Sequence, residues 1–422
     1  SRFVDAVIED CHVYDCERNG IVGKSAYTAS EYQYKKEYYS LKMQIRRNLV
    51  ERIPGDGIVV LGCDSAVVEY NICRDFTDAL PDLPGNAAAG IWPWNSHNTI
   101  IQYNEASGHQ ASWDAQGFDS DYNCDGTIIQ YNYSHDNAGG FILICSNGQW
   151  NGYNDNSIVR YNISINDGYR SWDRGAGFRT SIDIAGNTCN TKIYNNTIYT
   201  KTNPSSVDKQ FIEATNWNGL PDVTYIYNNI FYAEEPTGLI MGESTNYDFS
   251  NNFYSSDAVV SEDKNAFRGN PMFINPGTSE NVENYKLLPE SPAIAKGLII
   301  PNSGGIDFFG NEIPVDSKPA IGAHQPGDLN AIFDSAKQPC AEHPMLFPNP
   351  LKDTFLFVKL DNIDENAKLS ISSLTGELLY MKKLEVDQPR IEKVDISDYR
   401  QGMYILSFHT SAGIKSERFI VY

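Results

Sequence analysis

Long apolar runs are missing from this 422-residue chain. Without about 18 consecutive apolar residues there is no candidate membrane-spanning helix. Basic residues are scarce too: 54 Asp and Glu stand against 33 Lys and Arg, a formal net charge of −21. That balance argues against nucleic acid or an anionic membrane as a partner, and an acidic polymer could bind only through a local basic patch or a cation. The eight cysteines (positions 11, 16, 63, 73, 124, 145, 189 and 340) contain no CxxC pair, which excludes a structural zinc site of the usual spacing. Buried free thiols are the expectation, with Cys11 and Cys16 as the one pair spaced for a disulfide. The chain opens inside what reads as a repeat, so a leader or an N-terminal cap is expected ahead of Ser1.

What is abundant is a recurring phrase. It runs Ile45-Arg46-Arg47-Asn48, Val68-Glu69-Tyr70-Asn71, Ile101-Gln102-Tyr103-Asn104, Ile129-Gln130-Tyr131-Asn132, Val159-Arg160-Tyr161-Asn162, Ile193-Tyr194-Asn195-Asn196, Ile226-Tyr227-Asn228-Asn229 and Phe249-Ser250-Asn251-Asn252. The final asparagines are separated by 23, 33, 28, 30, 34, 33 and 23 residues. A fixed local phrase with irregular steps describes coils with rigid strands and variable loops. Each phrase alternates Val, Ile and Tyr, which is strand chemistry. Asparagine is poor in strands, so its recurrence needs a cause, and stacked turns supply one: the side-chain amides can hydrogen-bond from turn to turn.

On these phrases the chain resembles the right-handed parallel β-helix proteins of the pectate-lyase-like superfamily, over residues 1–327. Ser291-Pro292-Ala293-Ile294, Asp307-Phe308-Phe309-Gly310-Asn311 and Ile321-Gly322-Ala323-His324 resemble the C-terminal rung and exit of secreted polysaccharide-processing members. Residues 29–40 read as an insertion between turns. A linker at 328–343 leads to Phe347-Pro348-Asn349-Pro350, Leu374-Thr375-Gly376-Glu377, Asp395-Ile396-Ser397, Gly402-Met403-Tyr404-Ile405-Leu406 and a terminus Arg418-Phe419-Ile420-Val421-Tyr422. In that order they resemble the type IX secretion sorting domain of Bacteroidota. The resemblance implies an all-β chain, a β-helix followed by a small Ig-like β-sandwich at 344–422, exported to the surface or beyond and read by export machinery. A carbohydrate-binding sandwich is the alternative for this end, but it holds no tryptophan for stacking on a sugar.

A second phrase lies between the asparagines: GIVVL (57–61), GIWPW (90–94), GFDSD (117–121), GFILI (140–144), GFRTS (177–181), QFIEA (210–214) and GLIMG (238–242). Side chains alternate across a strand. The large apolar residue after the first position points inward, so positions three and five face out. Down that face run Trp92 and Trp94, then Asp119 and Asp121, then Ile142 and Ile144, then Arg179 and Ser181; Glu213 falls on the inward parity. Nearby loops add His109, Trp113, Asp114, His135, Asp136, Arg170, Trp172 and Asp173.

Two carboxylates on one exposed face, about 6.6 Å apart by strand rise, suit a glycoside hydrolase, in which one acid protonates the leaving oxygen and the other acts as base or nucleophile. Trp92 and Trp94 offer stacking faces for a sugar, and Arg179 could bind a hydroxyl or carboxylate. The expected catalytic set is Asp119, Asp121, Arg179, His135 and Asp136. Substrate contacts are expected from Trp92, Trp94, His109, Trp113, Asp114, Arg170, Trp172 and Asp173. No cofactor is required for hydrolysis. The alternative is a polysaccharide lyase, in which Asp119 and Asp121 hold Ca²⁺ while an arginine or histidine serves as base. A third reading is a surface protein that binds a polysaccharide or oligosaccharide without turning it over.

Overall fold

The computed structural model describes residues 2–25, 37–77, 87–148, 152–169, 180–202, 210–235, 237–255, 262–263, 265–326, 345–347, 355–360, 367–373, 378–384, 390–400, 402–410 and 413–421. The chain divides into two compact units, Ser1–Gly327 and Asp328–Tyr422.

The first unit is a right-handed parallel β-helix of three sheets. The first sheet carries the asparagine phrases, from Val7–Glu9 through Gln44–Arg46, Val67–Glu69, Ile100–Gln102, Ile128–Gln130, Ile158–Arg160, Thr188–Tyr194 and Asp222–Tyr227 to Tyr247–Ser250. The second follows each asparagine, from His12–Tyr14 to Phe267–Arg268. The third holds Ile21–Lys24, Ile58–Leu61, Ile91–Trp94, Gln116–Ser120, Gly140–Ser146, Ile182–Gly186, Gln210–Thr215 and Gly238–Ile240. Inward Ile, Val and Phe from all three form one continuous core that includes Ile45, Ile58, Ile91, Phe118, Ile142, Ile182 and Phe231.

The turn between the first two sheets is two residues long, and its first residue is left-handed, at Tyr70 (φ 56°), Tyr103 (54°), Tyr131 (56°) and Tyr161 (49°) among others. Side chains other than Gly, Asn and Asp disfavour that conformation, so something must hold it. The next asparagine does. Asn104 Nδ2 donates to Val68 O, Gln102 O and Asn132 Oδ1, while its backbone N–H donates to the same Oδ1 (all 2.9–3.0 Å). The pattern repeats from Asn48 to Asn252. It ends on Asp263, whose Oδ2 accepts from Asn252 N (3.0 Å) and Nδ2 (2.8 Å). A carboxylate can close the ladder there because no further rung asks it to donate.

After Phe267–Arg268 the chain adds no further rung of its own. Residues 271–325 instead return along the outside of the helix. Phe273, Tyr285 and Leu287 pack on Ile163, Tyr199 and Ile230 of the second sheet. Ile313 packs with Tyr131, Tyr161 and Tyr194 of the first. Asp307 shapes this segment, accepting from Phe309 N, Asn311 N and Gln325 N. The stretch expected as a terminal rung is therefore a cover for two of the three outer faces. Cys11 and Cys16 are free thiols, each turned toward a backbone carbonyl two residues earlier.

The second unit is a small antiparallel β-sandwich. Met345–Phe347, Phe355–Leu360 and Arg390–Asp395 form one sheet; Leu378–Lys383, Lys368–Ser373, Gly402–Thr410 and Gly413–Val421 form the other. Leu356, Val358, Leu369, Ile371, Val394, Leu406 and Phe419 fill the space between. The expected linker at 328–343 lies outside the described residues.

Candidate active site on the third sheet

The expected register holds for the first three strands aligned in the sequence, 57–61, 90–94 and 117–121: Ile91 pairs with Ile58 and with Phe118. It then slips by one. Gln116 pairs with Gly140, but Phe118 pairs with Ile142 and Asp119 with Leu143. Gly117 thus stands opposite Phe141, and on the side of the following strand Phe141 N and Ile142 N both donate to Ser181 O. Gly140 sits at φ 129° with Thr180 O only 2.4 Å from where a Cβ would be, so only glycine fits the approach. Ile142 and Ile144, expected outside, are therefore core residues.

The next strand is Ile182–Gly186 rather than 177–181, pairing Leu143 with Asp183 and Asp183 with Glu213. The outer column thus reads Trp92, Asp119, Leu143, Asp183, Glu213. Glu213 faces out, contrary to the parity expected of it, and is half-buried with its pKa raised by desolvation. Asp183 was missed in the sequence; the I-D-I alternation of 182–184, matching I-L-I at 142–144, was the available signal. Arg170, Trp172, Asp173 and Arg179 lie outside the described residues.

Asp119, Asp121 and Cys145 converge on the outside of this sheet, with one donor atom from each lying within 4.8 Å of the others. The face is not open where Asp119 stands: that residue is 3% exposed, while Asp121 is half-buried. Asp121 Oδ1 accepts from Tyr122 N (2.7 Å) and from the Cys145 thiol (3.2 Å). Burial pushes the Asp119 carboxyl well above its usual range, and the Asp121 and Asp114 charges push the same way. Burial also lifts Asp121 to about 6, against the lowering effect of its two donors. Close carboxyls out of water cannot both ionise easily, so one proton stays on the buried partner.

Asp114 belongs with this cluster. Its charge acts on Asp119, Tyr122 and Cys145 alike, and its side chain is partly exposed. The chain holds it with consecutive left-handed residues, Asp114 (φ 57°) and Ala115 (φ 66°). Asp114 forms an isolated bridge with Ala88, and Ala115 N donates to Ala88 O (2.8 Å). Gly139 lets the backbone of Asp114 approach so closely that any Cβ there would collide with it. Of the two left-handed residues, only Ala115 is of a type that disfavours that region.

Aromatic rings flank the acids on both sides. Trp92 and Trp94 are half-buried on the preceding rung, and Trp92 Nε1 donates to Asp56 Oδ1 (3.0 Å), which also takes Ala89 N (3.1 Å). On the other side, Tyr122 and Trp217 meet edge to face at 6.4 Å and pack against Leu143, Cys145 and Ala185. Trp217 stands three residues after the QFIEA phrase and was legible as a tryptophan beside the third sheet. Trp113 is half-buried on the turn that carries Asp114.

Two expected groups do not join the site. His109 is fully buried: its Nε2 lies 3.1 Å from Gly55 O and its ring stacks on Phe76 at 4.2 Å. It is a packing residue and cannot touch a substrate. His135 and Asp136 do pair, Nδ1 to Oδ2 at 2.9 Å, but on the outer face of the second sheet. There Ser279 of the returning segment donates its hydroxyl to Asp136, and Tyr133 donates to Ser279 O (2.6 Å). His135 therefore fastens the cover.

Comparison with known proteins agrees with this architecture. Residues 345–422 match the family model of the secretion system C-terminal sorting domain. The protein is thus a secreted or cell-surface parallel β-helix with a type IX sorting domain, and among the described residues no helix is long and apolar enough to cross a membrane. The β-helix is similar to XylC, solved with xylose: 16% identity, TM-score 0.50, 76% of this chain and 59% of that one, a likeness of fold. In sequence the chain is 28% identical over 393 residues to a lacto-N-biosidase of Bifidobacterium longum, covering 80% of this chain. It spans only 23% of that relative's length. A GH136 lacto-N-biosidase from Eubacterium ramulus is 25% identical, with TM-score 0.41, over 57% of this chain and 36% of that one.

Proposed function

We propose that this protein is an exported glycoside hydrolase whose reaction centre is the acid cluster Asp114, Asp119 and Asp121. The observation that carries the reading is the separation of environments within one cluster. Asp121, about 6 and held by two donors on one oxygen, is ionised at neutral pH and aimed, as a nucleophile or base must be. Asp114, partly exposed on its strained turn, is the carboxyl placed to exchange a proton with the leaving oxygen. Asp119 lies beneath them, too buried to meet a sugar; as a neutral acid it fixes the field in which Asp121 titrates. Trp92 and Trp94 on one side and Tyr122 and Trp217 on the other provide stacking faces for sugar rings on either side of the broken bond.

The lacto-N-biosidase likeness supports hydrolysis, and release of a disaccharide from an oligosaccharide is the substrate class to try first. The test is reducing-end release on a chromogenic lacto-N-bioside and a panel of oligosaccharides and polysaccharides. Asp121→Asn should lower kcat at least a thousandfold with KM little changed. Full turnover in that variant, on any substrate the wild type cleaves, would overturn the assignment.

A further inference from the structure

The geometry points to a second use of the same corner: Asp119, Asp121 and Cys145 form a binding site for a thiophilic divalent cation of the Zn²⁺ or Cd²⁺ class. Three observations carry it. One oxygen or sulfur from each residue lies within 4.8 Å of the other two. A tetrahedral ion with bonds of about 2.0–2.3 Å needs donors roughly 3.5 Å apart, so rotation about the side-chain bonds suffices to close on it. The Asp119 side chain, 3% exposed, has its Oδ1 buried without any hydrogen-bond partner, an oxygen that has left water and gained nothing in return. And Asp119 and Cys145 stand on two paired strands, Asp119 opposite Leu143 and Ser120 opposite Ile144, with Asp121 directly after the first of them.

The thiol decides the metal. Two carboxylates alone would suit Ca²⁺, the ion considered in the sequence, but Ca²⁺ takes six to eight oxygens and avoids sulfur. One sulfur and two oxygens leave a fourth tetrahedral position open, the donor count of a zinc site that still accepts a water or a substrate atom. Occupancy would take Asp121 out of any reaction, so the ion acts as an inhibitor of the hydrolase proposed above. Binding itself does not depend on that reading.

Co²⁺ is the probe, because a cobalt–thiolate bond gives a near-ultraviolet charge-transfer band that carboxylate ligands do not. The full chain titrated with Co²⁺ should develop the band at one equivalent and lose it on adding Zn²⁺. Cys145→Ser should abolish the band. Asp119→Asn, which keeps the thiol, should weaken Co²⁺ binding at least tenfold, while Cys189→Ser, on the first sheet, should change neither. No band in the wild type at saturating Co²⁺, or a band that survives Cys145→Ser, overturns the site. Absence of hydrolytic activity with the band present would leave the site standing and count against the proposed function alone.

Discussion

The asparagine ladder makes a quantitative demand on stability. Changing Asn132 to alanine removes an Oδ1 that accepts from Asn104 N and Nδ2 (both 3.0 Å) and an Nδ2 that donates to Ile101 O (2.9 Å) and Asn162 Oδ1 (3.0 Å). Asn104 Nδ2 keeps Val68 O and Gln102 O, and Asn162 Oδ1 keeps the backbone N–H of residue 132. The Asn104 N–H and the Ile101 carbonyl lose those partners in a region closed to water. At about 1–3 kcal/mol for each such group the cost is ~4 kcal/mol. The unfolding entropy of the unit Ser1–Gly327, taken as roughly 2.1 cal/mol/K per residue, converts that to a fall of about 6 °C in Tm. Scanning calorimetry of the full chain should show it in the larger transition. The control is Gln102→Ala: that side chain also sits in an amide chain, donating to Glu69 and accepting from Gln130, but it is half-exposed. Water can replace its partners, so its loss should cost under about 1 kcal/mol. Equal Tm shifts in the two variants would refute the ladder as the element that holds the left-handed turn.

Two further outcomes follow from the titrating groups. On any substrate the protein cleaves, kcat/KM should rise with pH through about 6 as Asp121 ionises; Cys145→Ala removes a donor to that anion and should move the limb upward, whereas Cys145→Ser should hold it near its place. Burial lowers the His135 pKa, but its bonds to Asp136 and Glu105, with the Glu105 and Asp167 charges, outweigh it and raise the group to about 9. A histidine with a folded pKa above its unfolded value stabilises fully below about 6.5 and loses the contribution as pH climbs toward 9. Urea unfolding at pH 6 and pH 9 should therefore differ by roughly 2–3 kcal/mol more in the wild type than in His135→Gln.

The parts of the fold that came through the sequence are those fixed by a local rule. Each asparagine phrase has to place one polar amide beside one left-handed residue, and that requirement recurs unchanged however long the intervening loops are. The sorting domain was legible for a similar reason, through short motifs kept in order. The third sheet has no such marker: its strands were aligned on an initial glycine, and that alignment fails wherever the glycine does not hold the same register. Gly140 is where that happens, since it pairs with Gln116 and not with Gly117. One residue of slip exchanges the two faces of a strand, which put Ile142 and Ile144 on the wrong side and hid the true parity of Glu213, while Asp183 was missed because its strand was placed at 177–181. The slip spared Asp119 and Asp121, whose strand precedes it, so the acid pair survives as a neighbour of Trp92 and Trp94 while its surroundings change. Burial is the other quantity that strand parity cannot supply. An outward position on a β-helix is open only if no loop covers it, and Asp119 at 3% exposure is an outward residue that solvent barely reaches. That burial is what turns two carboxylates into a pair with displaced pKa values, and the charge of Asp114, read in the sequence as a substrate-contacting loop residue, pushes Asp119 the same way.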